Sequence, residues 1–369
     1  MTTSCWEYLI ILFLICLLFL ISLNKQQSAN GNNGFFIIDL SYSQAIKGIA
    51  CLFILMGHYM QRKTNSPYDQ GIISNIIGMT TANIGLVWFM FISGYGLSLT
   101  TPKNLIKDLF KRIIKVYLPL LFVCIITTCF YACLPNIYTP EQTNILWISS
   151  DIANLHNGNY LPVIPHMLGW PDWYIYCIMI FYTLYYLSFY LSKKIKTVNP
   201  TIILTILMFL YFIWAYNTFG PPRAHWYRFI WVFLLGHLIA RQKELPTSIS
   251  ILIILPFLSI SLLENRIMLI NYFIGIFTLL IISTLNKYYS IKRSSLLLYL
   301  GSISYFFYLS HIRIGYHTLT YLNIDSILIW IIFTILVSHI LKYSYDIISK
   351  RYILNHLNNL LRSCFNKKI

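Results

Sequence analysis

Charge is the scarcest thing in this chain. Only 10% of its 369 residues are Asp, Glu, Lys or Arg, and 11 of them are acidic. A water-soluble domain carries roughly a quarter charged residues. A fold this poor in charge has no surface to offer water, so a soluble globule is excluded. Paired thiols are missing too: the eight cysteines include no CxxC. That speaks against a disulfide framework and against a metal site. Most of these cysteines lie in apolar runs and read as small buried residues. There is no internal repeat, no low-complexity stretch and no soluble domain at either end.

What is present is apolar sequence, 57% of the chain, with a mean hydropathy of +0.66. It falls into eleven runs: 8–23, 45–60, 84–99, 116–134, 173–191, 201–216, 226–240, 249–263, 267–285, 296–309 and 327–341. A transmembrane helix needs about 20 residues, and flanking Tyr, Trp and Ser complete the shorter runs. The expected fold is all-α, a polytopic transmembrane bundle of about eleven spans. If the run from Leu296 does not cross, the count is ten and His311 changes sides. The first run has Glu7 rather than a basic leader and no small-residue cleavage site after it, so it reads as an anchor.

The charges orient the bundle. With the N-terminus outside and the C-terminus cytoplasmic, 21 of the 27 Lys and Arg lie inside. Only Arg62, Lys63, Arg223, Arg228, Arg266 and Arg313 lie outside. This is the positive-inside pattern. It accounts for the net charge of +16 by a basic face against anionic lipid, with no nucleic acid partner. The longest outer loop, 135–172, holds Glu141, Asp151, Asp172, His156 and His166 and no Lys or Arg.

Polar groups inside spans are costly and mark function by default. Lys47 and His58 are eleven residues apart, about 16.5 Å and about 1100° of turn, so they lie nearly on one helix face. Lys47 belongs near the cytoplasmic headgroups and His58 towards the outer half. A plain interfacial His near Arg62 and Lys63 fits the same spacing. Arg112 and Lys115 are at i and i+3, one face at the cytoplasmic boundary. Such a pair suits a phosphorylated ligand, with Arg as a fork and Lys as a point charge; an ordinary topogenic cluster has the same pattern. Gly94 and Gly96 in the preceding segment suit close helix packing or a break. The segment Ser304-Tyr305-Phe306-Phe307-Tyr308-Leu309-Ser310-His311 puts a second His at the end of the tenth run, with His317 six residues on.

Together these segments resemble the bacterial acyltransferase-3 membrane proteins, which O-acylate extracytoplasmic glycans. The family's Arg/Lys-x10-His element is similar to KGIACLFILMGHY, Lys47 to His58. Its FxxSG element, running into Arg-x-x-Arg, is similar to FMFISGYGLSL followed by KRIIKVYLP, with Arg112 kept and Lys115 in place of the second Arg. Its SYxxYLxH element is similar to SYFFYLSH, ending on His311. A paired glutamate that many members carry is absent: Ile178 and Met179 stand there. The resemblance divides the chain into an extra N-terminal span and linker (1–40), a ten-helix acyltransferase-like membrane domain (41–345) and a basic cytoplasmic tail (346–369).

The resemblance implies an enzyme of the bacterial plasma (inner) membrane, with acyl-CoA, acetyl-CoA above all, as the cytoplasmic donor substrate. The acceptor is a cell-surface glycan or lipid-linked saccharide, and no metal or bound cofactor is expected. Lys47, Arg112 and Lys115 are then the acyl-CoA-binding residues. His58, His311 and Asp172 are the catalytic candidates, His58 as general base or as transient acyl carrier. A glycan or lipid-linked sugar exporter without transfer activity is the other class the sequence fits, and a polysaccharide polymerase a third.

Overall fold

A computed structural model of the chain describes residues 3–25, 38–64, 72–133, 157–158, 161–168, 172–220, 226–241, 266–293, 295–316, 318–319, 322 and 324–349. Ten of the eleven apolar runs are helices: α1 Thr3–Ser22, α2 Leu40–Thr64, α3 Ile72–Ser98, α4 Leu105–Ala132, α5 Trp173–Ile195, α6 Pro200–Phe219, α7 Ile230–Ala240, α8 Arg266–Tyr288, α9 Leu296–Ser310 and α10 Ile327–Ile348. The run 249–263, the residue His317 and the basic tail from residue 350 lie outside the described residues.

Among the described residues, six helices are long and apolar enough to cross a membrane: those containing Leu40–Met60, Leu105–Ala132, Trp173–Ile195, Pro200–Phe219, Ile270–Tyr288 and Ile327–Ile348. Two shorter apolar helical stretches are Trp6–Ser22 and Tyr227–Ala240. Large apolar side chains stand outward along these helices, among them Phe13, Leu210, Trp214, Phe277, Leu336 and Ile340. Rows of that size are not left facing water. Lipid is the solvent they suit, and the chain is an integral membrane protein.

Local sequence sets the helix ends. Asp39 caps α2, accepting from the Tyr42 amide at 2.8 Å and from Ser41 at 2.7 Å. Asn199 caps α6, accepting from the Thr201 amide at 2.8 Å, with Pro200 in the first turn. One difference from an all-α reading is a small antiparallel pair, β1 Leu23–Lys25 with β2 Tyr289–Ile291. Three-residue strands carry no apolar alternation to read in a sequence. The pair brings the ends of α1 and α8 together, and Lys292 Nζ donates to the Ile21 carbonyl at 2.8 Å at the C-terminus of α1.

The chain forms two compact units. The first comprises Met1–Leu105 and Trp173–Ser302, the second Ile106–Asp172 and Ile303–Ile369. In the first, α2 is the most enclosed of the candidate spans: 72% of its most apolar window is buried, against 28–44% for the others of this unit. Glycines let its neighbours close in. A Cβ on Gly57 would strike Ala82, one on Gly94 the Phe233 carbonyl of α7, and one on Gly236 the Phe91 carbonyl of α3. Below that crossing His237, fully buried, is held by Ser98 on Nδ1 (2.7 Å) and Thr201 on Nε2 (3.0 Å). With both ring nitrogens bonded to hydroxyls, this His fastens α3, α6 and α7.

In the second unit α4 is the spine. Pro119 removes the amide that would reach the Lys115 carbonyl. The next carbonyl, Val116, accepts from the Tyr305 hydroxyl instead. Tyr345 of α10 packs edge-on against Phe122 and tilted against Phe306.

Candidate active site

The first unit holds Lys47 and His58. Both lie on one uninterrupted helix, α2, so their eleven-residue spacing keeps them near one face as the sequence reading expects. Each is half-buried. Lys47 neighbours a tight crossing, where Gly48 meets Leu297, Leu300 and Gly301 of α9. His58 neighbours the Gly57–Ala82 crossing with α3. Where the family's acidic pair would be, Ile178 is buried and Met179 is half-buried on α5, so no carboxylate arises there.

The second unit holds the other four candidates. Arg112 and Lys115 occupy the first half of α4, Arg112 half-buried and Lys115 exposed beside the exposed Lys111. The exposed ends of this cluster suit a soluble, multiply charged ligand. From there α9 and α4 run in the same direction: Tyr305 bonds the Val116 carbonyl, and the Arg313 carbonyl accepts from Tyr131. Val116 to Tyr131 is about 22 Å of helix. His311, six residues past Tyr305, therefore lies about 9 Å further from the basic end.

His311 opens a π-helical turn, His311–Tyr316, at the end of α9. Such turns widen a helix and recur at functional sites. The side chain is 2% exposed. Its Nδ1 lies 2.6 Å from the Tyr308 carbonyl, and its own carbonyl accepts from Trp330 Nε1 at 3.1 Å. A carbonyl can only accept, so Nδ1 carries the hydrogen, and in the neutral ring Nε2 holds the lone pair. That is the tautomer a general base needs.

Asp172 has a cation as its partner. It pairs with Arg313 of the same turn at 2.9 Å, with only 12% and 7% of the two side chains exposed. Burial opposes the Arg313 charge, and Asp172 more than offsets it, so the guanidinium holds its proton above its ordinary range. Sequence reasoning counted Arg313 only as one of six outer charges. The signal that could have found it is its place two residues after His311 in an otherwise apolar stretch. The loop before Asp172 also folds back, since Tyr117 donates to the Leu168 carbonyl at 3.0 Å.

Among the described residues no group of three or more His, Cys, Asp or Glu is placed to hold a metal. By unit, Lys47 and His58 fall in one, and Arg112, Lys115, His311 and Asp172 in the other.

Nothing among curated proteins and nothing among solved structures matches the chain. A family model described as an acyltransferase domain matches residues 40–341. That stretch takes in all six candidates and begins where α2 begins. The chain is a membrane acyltransferase and belongs to the acyltransferase-3 family.

Proposed function

We propose that this protein moves an acyl group, acetyl above all, from acyl-CoA in the cytoplasm to a hydroxyl of a cell-surface or lipid-linked polysaccharide, in a bacterial inner membrane. The observation that carries the reading is the second unit's arrangement. A basic pair marks one end of α4, and a histidine with its Nε2 lone pair set by a backbone carbonyl stands further along the same spine. Donor phosphates suit the first and an acceptor hydroxyl the second.

The roles follow from chemistry. Arg112 offers phosphate oxygens a two-pronged donor, and Lys115 and Lys47 add point charges. In the transfer the acceptor oxygen forms a bond to the acyl carbon, and the C–S bond breaks. The hydroxyl proton goes to a histidine, and the CoA thiolate leaves. His311 takes that proton at Nε2, with Asp172 acting through Arg313 to hold the turn. His58 serves either as the general base on the acceptor hydroxyl, in place of His311, or as the nucleophile: its N–acyl bond forms as the C–S bond breaks, and breaks again when the acceptor oxygen attacks. The carrier route moves an acyl group outward without CoA crossing the bilayer.

The decisive variant is His58→Ala. Mass spectrometry of the surface polysaccharide is expected to show intact polymer without its acyl groups. Unchanged acylation at normal protein level would sink the assignment. Quenching the native protein with labelled acetyl-CoA separates the two roles: label lost in His58→Ala means carrier, and no label on the native chain means base.

A further inference from the structure

Buried N–H groups without an acceptor are rare in native proteins, because each costs its full desolvation, about 1–3 kcal/mol. The first unit has two on facing helices. Trp231 of α7 is 3% exposed and Asn271 of α8 is 2% exposed, and neither Trp231 Nε1 nor Asn271 Nδ2 has a partner among the described residues.

They lie at one level. Gly275 of α8 meets Val87 of α3, where a Cβ would come within 2.8 Å, and its carbonyl accepts from Trp88 Nε1 at 2.9 Å. Asn271 is one turn before Gly275 on the same face of its helix, and Asn83 is one turn before Val87 on the same face of α3. Asn83 Oδ1 in turn accepts from Arg228 at 3.2 Å, and Trp231 is one turn beyond Arg228. Trp231 stacks edge-on against Tyr272, the neighbour of Asn271, at 4.9 Å between ring centres. Gly57, beside His58, packs on Ala82, the neighbour of Asn83. Contacts among α2, α3, α8 and α7, with the turn that precedes α7, thus set two unsatisfied donors, an arginine and the candidate catalytic His58 at a similar depth of one unit.

We infer that Trp231 Nε1 and Asn271 Nδ2 form a binding subsite for a substrate oxygen that accepts two N–H bonds. The inference rests on the acyl-transfer reading above and deepens it by naming what the first unit recognises. The site offers donors, so a ligand hydroxyl acting as donor does not satisfy it. A carboxylate or carbonyl oxygen does, and Arg228 at the same level favours negative charge. Two substrates carry such an oxygen: an acidic sugar of the acceptor, through its carboxylate, and the donor, through its acyl carbonyl. An apolar residue at either position would be the more stable choice were no ligand involved.

The test uses the full-length protein in detergent, with Asn271→Leu and Trp231→Phe as separate variants. Without ligand each variant is expected to melt at or above the native temperature, because an unsatisfied donor has gone. The probes are glucuronate, compared with glucose, and acetyl-CoA, compared with CoA. Each variant is expected to lose the extra stabilisation of one probe, with its binding weakened roughly tenfold to a hundredfold. Loss of the glucuronate effect identifies the sugar carboxylate, and loss of the acetyl-CoA increment over CoA identifies the acyl carbonyl. Variants that melt lower without ligand and respond to both probes as the native chain does overturn the subsite. An acetyl-transfer assay of the native protein separates the two claims. Probe binding that depends on Asn271 and Trp231, without any transfer, sinks the reaction and leaves the subsite standing. Transfer that ignores both substitutions sinks the subsite alone.

Discussion

The Asp172–Arg313 pair is the sharpest case of one residue deciding another's work. Both side chains are nearly buried and 2.9 Å apart. Removing one partner leaves an uncompensated charge in a dry site, which costs about 3–5 kcal/mol. Asp172→Ala is therefore expected to lower the melting temperature steeply. The double variant Asp172→Ala with Arg313→Met is expected to recover much of the loss. A double-mutant cycle on thermal unfolding in detergent reads this directly, and additive losses would mean that the pair is not coupled. His311 itself was legible in the sequence as the end of SYxxYLxH. Its tautomer was not, because that depends on the Tyr308 carbonyl lying 2.6 Å from Nδ1 once the π-helical turn has formed.

At the scale of elements, the packing of α3 against α7 separates two glycines that the sequence treats alike. Gly94 sits where a Cβ would run into the Phe233 carbonyl, and backbone cannot rotate away; Gly96 has open space around it. Gly94→Ala is expected to destabilise the protein by about 1–3 kcal/mol, as overpacking does. Gly96→Ala is expected to be neutral, or to gain up to about 1 kcal/mol of helix propensity. Expression and melting temperature of the two variants check this; equal losses would contradict the crossing. Helix positions along α1 to α10 were readable because long apolar runs have little alternative in lipid. The strands β1 and β2 were not readable. Three residues carry no period, and their pairing joins segments more than 260 residues apart in the chain.

For the whole molecule, that pairing carries a topological consequence. Lys25 and Tyr289 are strand partners, so the ends of α1 and α8 lie on the same side of the membrane. The positive-inside reading of the sequence expects that side to be cytoplasmic. In a cysteine-free background of intact cells, Lys25→Cys and Ser290→Cys are both expected to resist a membrane-impermeant thiol reagent. Both should react once the cells are permeabilised. Labelling of one but not the other in intact cells would break the strand pairing, and labelling of both would reverse the orientation.

The sequence by itself determined that this chain lives in lipid, that it is helical, and which family it belongs to. Scarcity of charge, long apolar runs and three ordered motifs are local properties, and they survive without knowing what packs on what. The tertiary structure alone decided what the polar residues do. Asp172 could orient a histidine or pair with a cation, and the fold set it against Arg313. His237 carried no motif and proved to be a fastener between three helices. Trp231 and Asn271 sit in apolar runs and look like any interfacial Trp or stray Asn. Their meaning depends on having no acceptor among the described residues, and an unmet hydrogen bond is defined only by the neighbours the fold brings to it.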